Sequence, residues 1–175
     1  PKGVLVEHRQ VTAYLAAFFH RFDIGPDDVS IHLTSVAFDA FVEEMYPVLL
    51  KGGAFGIPGR NDMLDISRLS DFASRNRVSM IDCTPLMLNE LDKIGGDLTE
   101  NLRIVISGGD VLKPAYVERL KETGGVWNTY GPTESTVCAT YYHYTGEHGE
   151  DIIPIGKPIL NYNVYILDNA KRLLP

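Results

Sequence analysis

Apolar residues recur along this chain in two alternating rhythms. From Val11 to Phe22 they fall at Val11, Tyr14, Leu15, Phe18, Phe19 and Phe22, the spacing of a helix with one buried stripe, and Gly25-Pro26 closes it. Val29, Ile31 and Leu33 then alternate as in a strand. Ala40 to Leu50 returns to helical spacing through Val42, Met45, Tyr46 and Leu49, with Asp39 at the N-cap position and Gly52-Gly53 after the end; Pro47 predicts a kink or early break. Ala54 to Pro58 reads as a strand, Gly59 to Leu64 as a polar loop, and Leu64 to Arg77 as an amphipathic helix through Ile66, Leu69, Phe72 and Ala73. Val78 to Ile81 has the short apolar run of a buried strand, Pro85 suits the first turn of a helix reaching about Leu91, and Gly95-Gly96 follows. Leu102 to Ile106 is the clearest strand, ending in Ser107-Gly108-Gly109. A helix is expected from Pro114 to Gly124-Gly125, then a strand at Val126-Trp127-Asn128.

Strand and helix alternating over short connections predict an α/β fold, a mostly parallel sheet flanked by helices. Ligands of such sheets bind beyond the carboxyl ends of the strands. Asp39, Asp82, Gly108-Gly109 and Thr129-Tyr130 each follow a predicted strand, so topology alone gathers them along one edge. Beyond Glu134 the pattern changes: Val137 to Tyr144 and Asn163 to Leu167 are rich in β-branched and aromatic residues, giving a β-rich C-terminal end of antiparallel or edge strands. No internal repeat or low-complexity segment is visible.

Composition narrows the partners. With 45% hydrophobic and 22% charged residues in 175, the chain suits a single compact domain. A net charge of −7, from 16 Lys+Arg against 23 Asp+Glu, disfavours nucleic acid. Cys83 and Cys138 form no CxxC pair and indicate neither a zinc site nor a disulfide framework, which fits a reducing cytoplasm. There is no signal-peptide pattern, and no apolar run approaches the roughly 18 residues of a membrane span. His8, His20, His32, His143 and His148 show no metal-ligand spacing, and Glu147, Glu150 and Asp151 read as a solvated acidic loop.

The stretch with most chemistry is Asn128-Thr129-Tyr130-Gly131-Pro132-Thr133-Glu134. Tyr130 offers an aromatic face, Gly131-Pro132 a sharp turn, Thr133 a hydroxyl and Glu134 a carboxylate of the kind Mg²⁺ accepts. The same residues also suit a surface turn with a solvated Glu134. Gly108-Gly109 permits close backbone approach to a planar ligand, or merely a strand-to-helix turn at positive φ.

NTYGPTE at 128–134 resembles the signature of adenylate-forming enzymes, specifically the amino-acid-activating adenylation domains of nonribosomal peptide synthetases. PKGVLVEHRQV at 1–11, AFDAFVEEMYPVLLKGG at 37–53 and LRIVISGGDVL at 102–112 fit the same family in order, so the resemblance spans essentially the whole chain. It implies one lobe of the N-terminal subdomain, residues 1–175 forming a single partial domain. The opening Pro1-Lys2-Gly3 would close a phosphate loop that mostly precedes it, and a C-terminal lobe would lie beyond Pro175. A fragment of this extent is expected to be inactive, or nearly so, by itself. The implied reaction is attack of an amino-acid carboxylate on the α-phosphate of ATP, with Mg²⁺, followed by transfer to phosphopantetheine on a separate carrier domain. Carrier and condensation domains of the same synthetase are the implied partners.

By matching motifs, Tyr130 would stack on adenine, and Gly108, Gly109, Asn128, Thr129 and Gly131 would line the nucleotide side. Thr133 would touch the α-phosphate, Glu134 would ligate Mg²⁺ and Lys2 would meet pyrophosphate oxygens. Asp39 matches the aspartate that binds the substrate α-ammonium, beside its role as a helix cap. Ala40, Glu43, Asp82, Ile106, Gly108, Thr129, Val137 and Cys138 match positions lining the side-chain pocket, where a wall role for Cys138 fits better than a nucleophile. Glu43 and Asp82 would then be two carboxylates with no base among these positions, which is costly unless one is protonated or a cation arrives with the ligand. The expected substrate is a basic amino acid, lysine before ornithine or arginine. Taken singly, Glu43 also suits a solvated helix face and Asp82 a strand-end cap. The rival readings are an acyl- or aryl-CoA ligase, against which Asp39 argues, and a non-catalytic nucleotide-binding or scaffolding module.

Overall fold

A computed structural model describes residues 2–95, 100–146 and 151–174; the expectations for Gly96, Glu147, His148 and Glu150 lie outside the described residues. The chain runs α1 (His8–Arg21), β1 (Val29–Ile31), α2 (Ala40–Leu50), β2 (Ala54–Gly56), α3 (Arg60–Met63), α4 (Ile66–Arg75), β3 (Met80–Cys83), α5 (Pro85–Ile94), β4 (Ile104–Ser107), β5 (Val126–Tyr130), β6 (Thr140–Tyr144) and β7 (Lys157–Pro158). The strands form one sheet in the order β2-β1-β3-β4-β5-β6-β7. Pairing is parallel from β2 through β5 and antiparallel at β5–β6 and β6–β7.

The two-residue period of the strands sorts their side chains between two cores. Ile81, Cys83, Val105 and Val126 pack with Leu69 and Ala73 of α4 and Leu88 and Leu91 of α5. Met80, Ile104 and Ile106 face the opposite side, with Tyr14 and Phe18 of α1 and Val48 of α2. Helices therefore cover both faces of the sheet, the arrangement a largely parallel sheet requires. Asp82 lies two residues after Met80 and so points to the α1–α2 side, where its parallel register partner is Ile106.

At the amino ends of the strands a polar cluster fastens the sheet. Asp28 accepts from Ser79 Oγ at 2.7 Å, Gly25 N at 2.8 Å and Arg103 Nε at 2.8 Å. These residues precede β1, β3 and β4, so one carboxylate pins three connections on the edge opposite Asp39 and Gly108.

Several elements depart from the sequence pattern. α2 runs unbroken to Leu50 despite Pro47, because Pro47 and Val48 are buried against β1, β2 and β3 and packing outweighs the missing hydrogen bond. Asp39 is at the N-cap but in the αR region, and its side chain caps nothing. Gly59–Leu64 contains the one-turn α3, closed by Asp62 accepting from Gly59 N at 3.1 Å. The helix expected from Pro114 is two short 3-10 turns, Pro114–Tyr116 and Leu120–Thr123. Here Asp92 of α5 takes the amide protons of Arg119 and Leu120, both at 2.8 Å, that a continuous helix would have used internally. Asn163–Leu167 is not a strand: Leu167 makes one isolated bridge to Leu173, and the last sheet strand is β7. No helix among the described residues is long and apolar enough to cross a membrane.

Candidate active site

A cavity of about 450 Å³ opens at the carboxyl ends of β3, β4 and β5, walled by α2 and by the segment leading into β6. Asp39, Ala40 and Glu43 line it from α2, Asp82 from β3, Gly108 and Gly109 from the loop after β4, Thr129 from β5, Gly131 from the turn after it, and Val137 and Cys138 from the approach to β6. Of the nine positions expected around the substrate, only Ile106 stays out of the wall. It is fully buried beneath the site, between Asp82 and Trp127 on the same sheet face. Leu33, Thr84 and Met87 also line the cavity and had no motif to mark them, and Phe38 lines it from within the 37–53 motif, where no role had been assigned to it.

The acids are the dominant chemistry. Glu43 is 2% exposed, and Asp82 is buried beside it. Tyr14 of α1 donates its hydroxyl hydrogen to Glu43 Oε2, while Glu43 Oε1 and Asp39 Oδ2 are buried with no hydrogen-bond partner. Burial raises the Glu43 carboxyl to about 7, against the Tyr14 hydrogen bond that lowers it, with the charges of Asp39 and Glu44 adding to the rise. Burial also pushes Asp82 well above the ordinary carboxylate range, and the charges of Glu43, Glu44 and Asp39 push the same way. No Lys, Arg or His lines this cavity among the described residues.

Glu44, adjacent to Glu43, is fully buried rather than solvated. It accepts from Thr34 N at 2.7 Å, from Leu33 N at 3.1 Å, and pairs with His32 Nδ1 at 3.1 Å. It thereby holds the 32–34 segment that forms the outer lip of the cavity. Cys138 is buried, and burial pushes its thiol well up, so it forms wall rather than nucleophile.

The glycines are there because the walls approach closely. A Cβ on Gly108 would lie 2.5 Å from Thr129 Oγ1, and one on Gly131 would lie 2.4 Å from Cys138 Cα. Thr136 and Val137, both β-branched, take positive φ values of 65° and 67°, a strained pair that turns Val137 into the cavity.

A second cavity of about 560 Å³ adjoins the first and shares Phe38, Asp39 and Val137 with it. Lys2 and Thr133 line this second space. Glu134 sits exposed on the 3-10 turn Thr133–Ser135. Tyr130 is 52% exposed at the end of β5, one residue before Gly131 of the first cavity. Asn128 lines neither of these two cavities: its buried Nδ2 donates to the carbonyls of Ile153 at 3.0 Å and Pro154 at 2.9 Å, tying that segment to β5, while its buried Oδ1 has no partner. Strand alternation turns Asn128 away from the face that carries Thr129.

A carboxylate such as Glu134 has the right donor type for Mg²⁺, but no group of three or more His, Cys, Asp or Glu among the described residues is placed to hold a metal ion.

Tyr14 is the functional residue the sequence pattern hid, since its place in the apolar stripe of α1 marks it only as core. The available signal was chemical: a buried tyrosine hydroxyl requires a partner, and the partner lies 29 residues away.

Comparison with known proteins agrees with this geometry. Bacitracin synthase 2 of Bacillus licheniformis is 44% identical over 177 residues, matching 100% of this chain and 7% of its own length. The structure of the nonribosomal peptide synthetase FmoA3 in its AMPPNP-bound form superposes with a TM-score of 0.91 at 26% identity, covering 99% of this chain and 20% of that one. Holo-AB3403, a four-domain nonribosomal peptide synthetase bound to AMP and glycine, does so with a TM-score of 0.86 at 27% identity, covering 100% of this chain and 13% of that one. The chain thus spans a small part of the synthetases it matches. With the AMP-binding enzyme model matching residues 1–175 throughout, this chain belongs to the AMP-binding enzyme family.

Proposed function

We propose that this chain forms the amino-acid-binding wall of an adenylation domain that activates a basic amino acid, lysine before ornithine or arginine, for nonribosomal peptide synthesis. The observation that carries the reading is the cluster of Asp39, Glu43 and Asp82 around one cavity that no cationic side chain lines among the described residues, with Asp39 Oδ2 and Glu43 Oε1 buried and unpartnered. Buried carboxylate oxygens without partners are expensive. A guest with an α-ammonium for Asp39 and a side-chain ammonium for Glu43 and Asp82 satisfies them and favours the charged forms of Glu43 and Asp82.

The reaction joins the substrate carboxylate to the α-phosphate of ATP and releases pyrophosphate, and it depends on alignment and charge neutralisation more than on covalent help. Asp39 orients the amino acid at the partition between the two cavities. Gly108 and Gly109 give the ligand bare backbone, Tyr130 offers a flat face at the rim, and Thr133 and Lys2 face the second cavity as donors to phosphate oxygens. Glu134 would hold a bound Mg²⁺ through a carboxylate oxygen, and the ion would supply neutralisation of phosphate charge. Asn128 contributes by fixing the 153–154 segment behind the nucleotide side. The phosphopantetheine thiol of a carrier domain then takes the aminoacyl group as the acyl–phosphate bond breaks and AMP leaves, and a condensation domain of the same synthetase is the further partner.

A CoA ligase reading leaves Asp39 without an ammonium to pair, and a scaffolding module leaves the buried acids without a purpose. The test is amino-acid-dependent ATP–pyrophosphate exchange by the full adenylation domain with lysine, ornithine, arginine, glutamine and leucine. Preference for a basic substrate supports the reading. Preference for leucine removes the charge argument, and no exchange with any amino acid favours the rival readings.

A further inference from the structure

The cavity's selectivity depends on a residue outside its wall. Tyr14, fully buried on α1, reaches across to α2 and donates to Glu43 Oε2. The second oxygen, Oε1, is left buried and unpartnered on a side chain that lines the cavity. The phenol is itself held from behind: Tyr141 Oη lies 3.4 Å from Tyr14 Oη, and Cys138 Sγ donates to it at 3.9 Å. Phe18 packs against the ring at 6.3 Å between centroids. Oε2 of Glu43 is thus engaged by a phenol that is itself held in place, and Oε1 is the oxygen left without a partner.

We propose that Tyr14 is a specificity-determining positioning residue, whose hydroxyl clamps one oxygen of Glu43 so that the other is presented to the side-chain cation of the substrate. This rests on the basic-amino-acid reading above and adds the device that makes Glu43 selective. A glutamate free to rotate has several orientations to lose on binding, and a pre-set one has few, so the clamp favours cationic guests by preorganisation. A hydrogen bond donated to the charged form also keeps Glu43 more acidic than its burial alone allows. The groups facing Glu43 are Tyr14 from α1, Asp39 and Glu44 from α2, Asp82 from β3, and Cys138 and Tyr141 from the β6 side. Tyr14 is the strongest donor among them.

The experiment is steady-state exchange by the full domain, wild type against Tyr14→Phe, with lysine and glutamine across pH 6 to 9. Wild-type preference for lysine is the first readout and tests the underlying reading by itself. Given that preference, Tyr14→Phe raises the KM for lysine roughly three- to tenfold, more than it raises that for glutamine. It also moves the acidic limb of kcat/KM for lysine to higher pH. In a Glu43→Gln background the pH effect of Tyr14→Phe disappears, which a purely structural role would not produce. Equal rises for both amino acids with an unmoved limb overturn the proposal. Should the phenylalanine variant fail to fold, a fluorinated tyrosine at position 14, a stronger donor of nearly the same shape, moves the limb to lower pH, and an unmoved limb there overturns the proposal equally.

Discussion

Glu43→Gln is expected to act in opposite directions on stability and on substrate choice. Burial lifts the Glu43 carboxyl from 4.5 to about 7, so between those values the unfolded chain has released a proton that the folded chain keeps. Folding stability therefore falls as pH rises through this window, and the full deficit stands above about pH 7. Its size follows from the shift: about 3 kcal/mol at pH 8 and under about 1 kcal/mol at pH 5. Glutamine carries no such charge and keeps an oxygen to accept from Tyr14. In the absence of amino acid the variant should be more stable than wild type at pH 8, by up to about 3 kcal/mol, and close to it at pH 5. Urea unfolding of the ligand-free adenylation domain at the two pH values measures this, and lysine-dependent exchange should weaken by about 1–3 kcal/mol in the same protein. A variant that is less stable at pH 8, or whose gain is the same at both pH values, refutes the claim that the carboxylate is held against its own solvation.

Two further outcomes follow from the packing. Gly108→Ala places a Cβ 2.5 Å from Thr129 Oγ1 and should cost about 1–3 kcal/mol in stability by thermal unfolding and raise the KM for ATP, with Thr129→Ala recovering part of the stability loss. Arg103→Ala strips the ion-pair partner from buried Asp28, whose carboxyl burial would raise but hydrogen bonds from Arg103, Gly25 and Ser79 hold below its usual value. Because Arg103 is 43% exposed, the loss should be about 1–3 kcal/mol rather than the full amount for a buried pair. Asp28 stabilises above its unfolded pKa and ceases to as pH falls, so acid unfolding of the variant should begin at higher pH by circular dichroism.

The parallel α/β class and the edge on which the site sits were legible wherever a local pattern carries long-range meaning. Asp82 and Gly108 follow strand patterns, and parallel pairing brings their ends together without further information. The misreadings occur where a distant group takes over local hydrogen bonding. Asp92 claims the amides of Arg119 and Leu120 and breaks the expected helix into turns. The Asn128 side chain is divided in a way the motif does not reveal: Ile153 and Pro154 accept from its nitrogen, while its buried oxygen keeps no partner. Glu43 and Glu44 are neighbours with the same chemistry, yet one lines the cavity and the other braces its lip, a division that only the placement of Tyr14 and of residues 32–34 decides. Asn163–Leu167 has strand-like composition, but among the described residues it pairs only locally, through the Leu167–Leu173 bridge and the bond from Leu174 N to Ile166 O, and composition cannot supply a place in the sheet.

Val137 borders both cavities and holds a backbone conformation that branched residues avoid. Two chambers are therefore kept apart by an isopropyl group on a short irregular connector, joined only by Phe38 and Asp39 from the facing side. None of that divider belongs to the seven-stranded scaffold. Edits to the connector and to the 38–39 segment ahead of α2 act on the boundary that both chambers share, and leave the strands that carry Asp82 and Thr129 untouched.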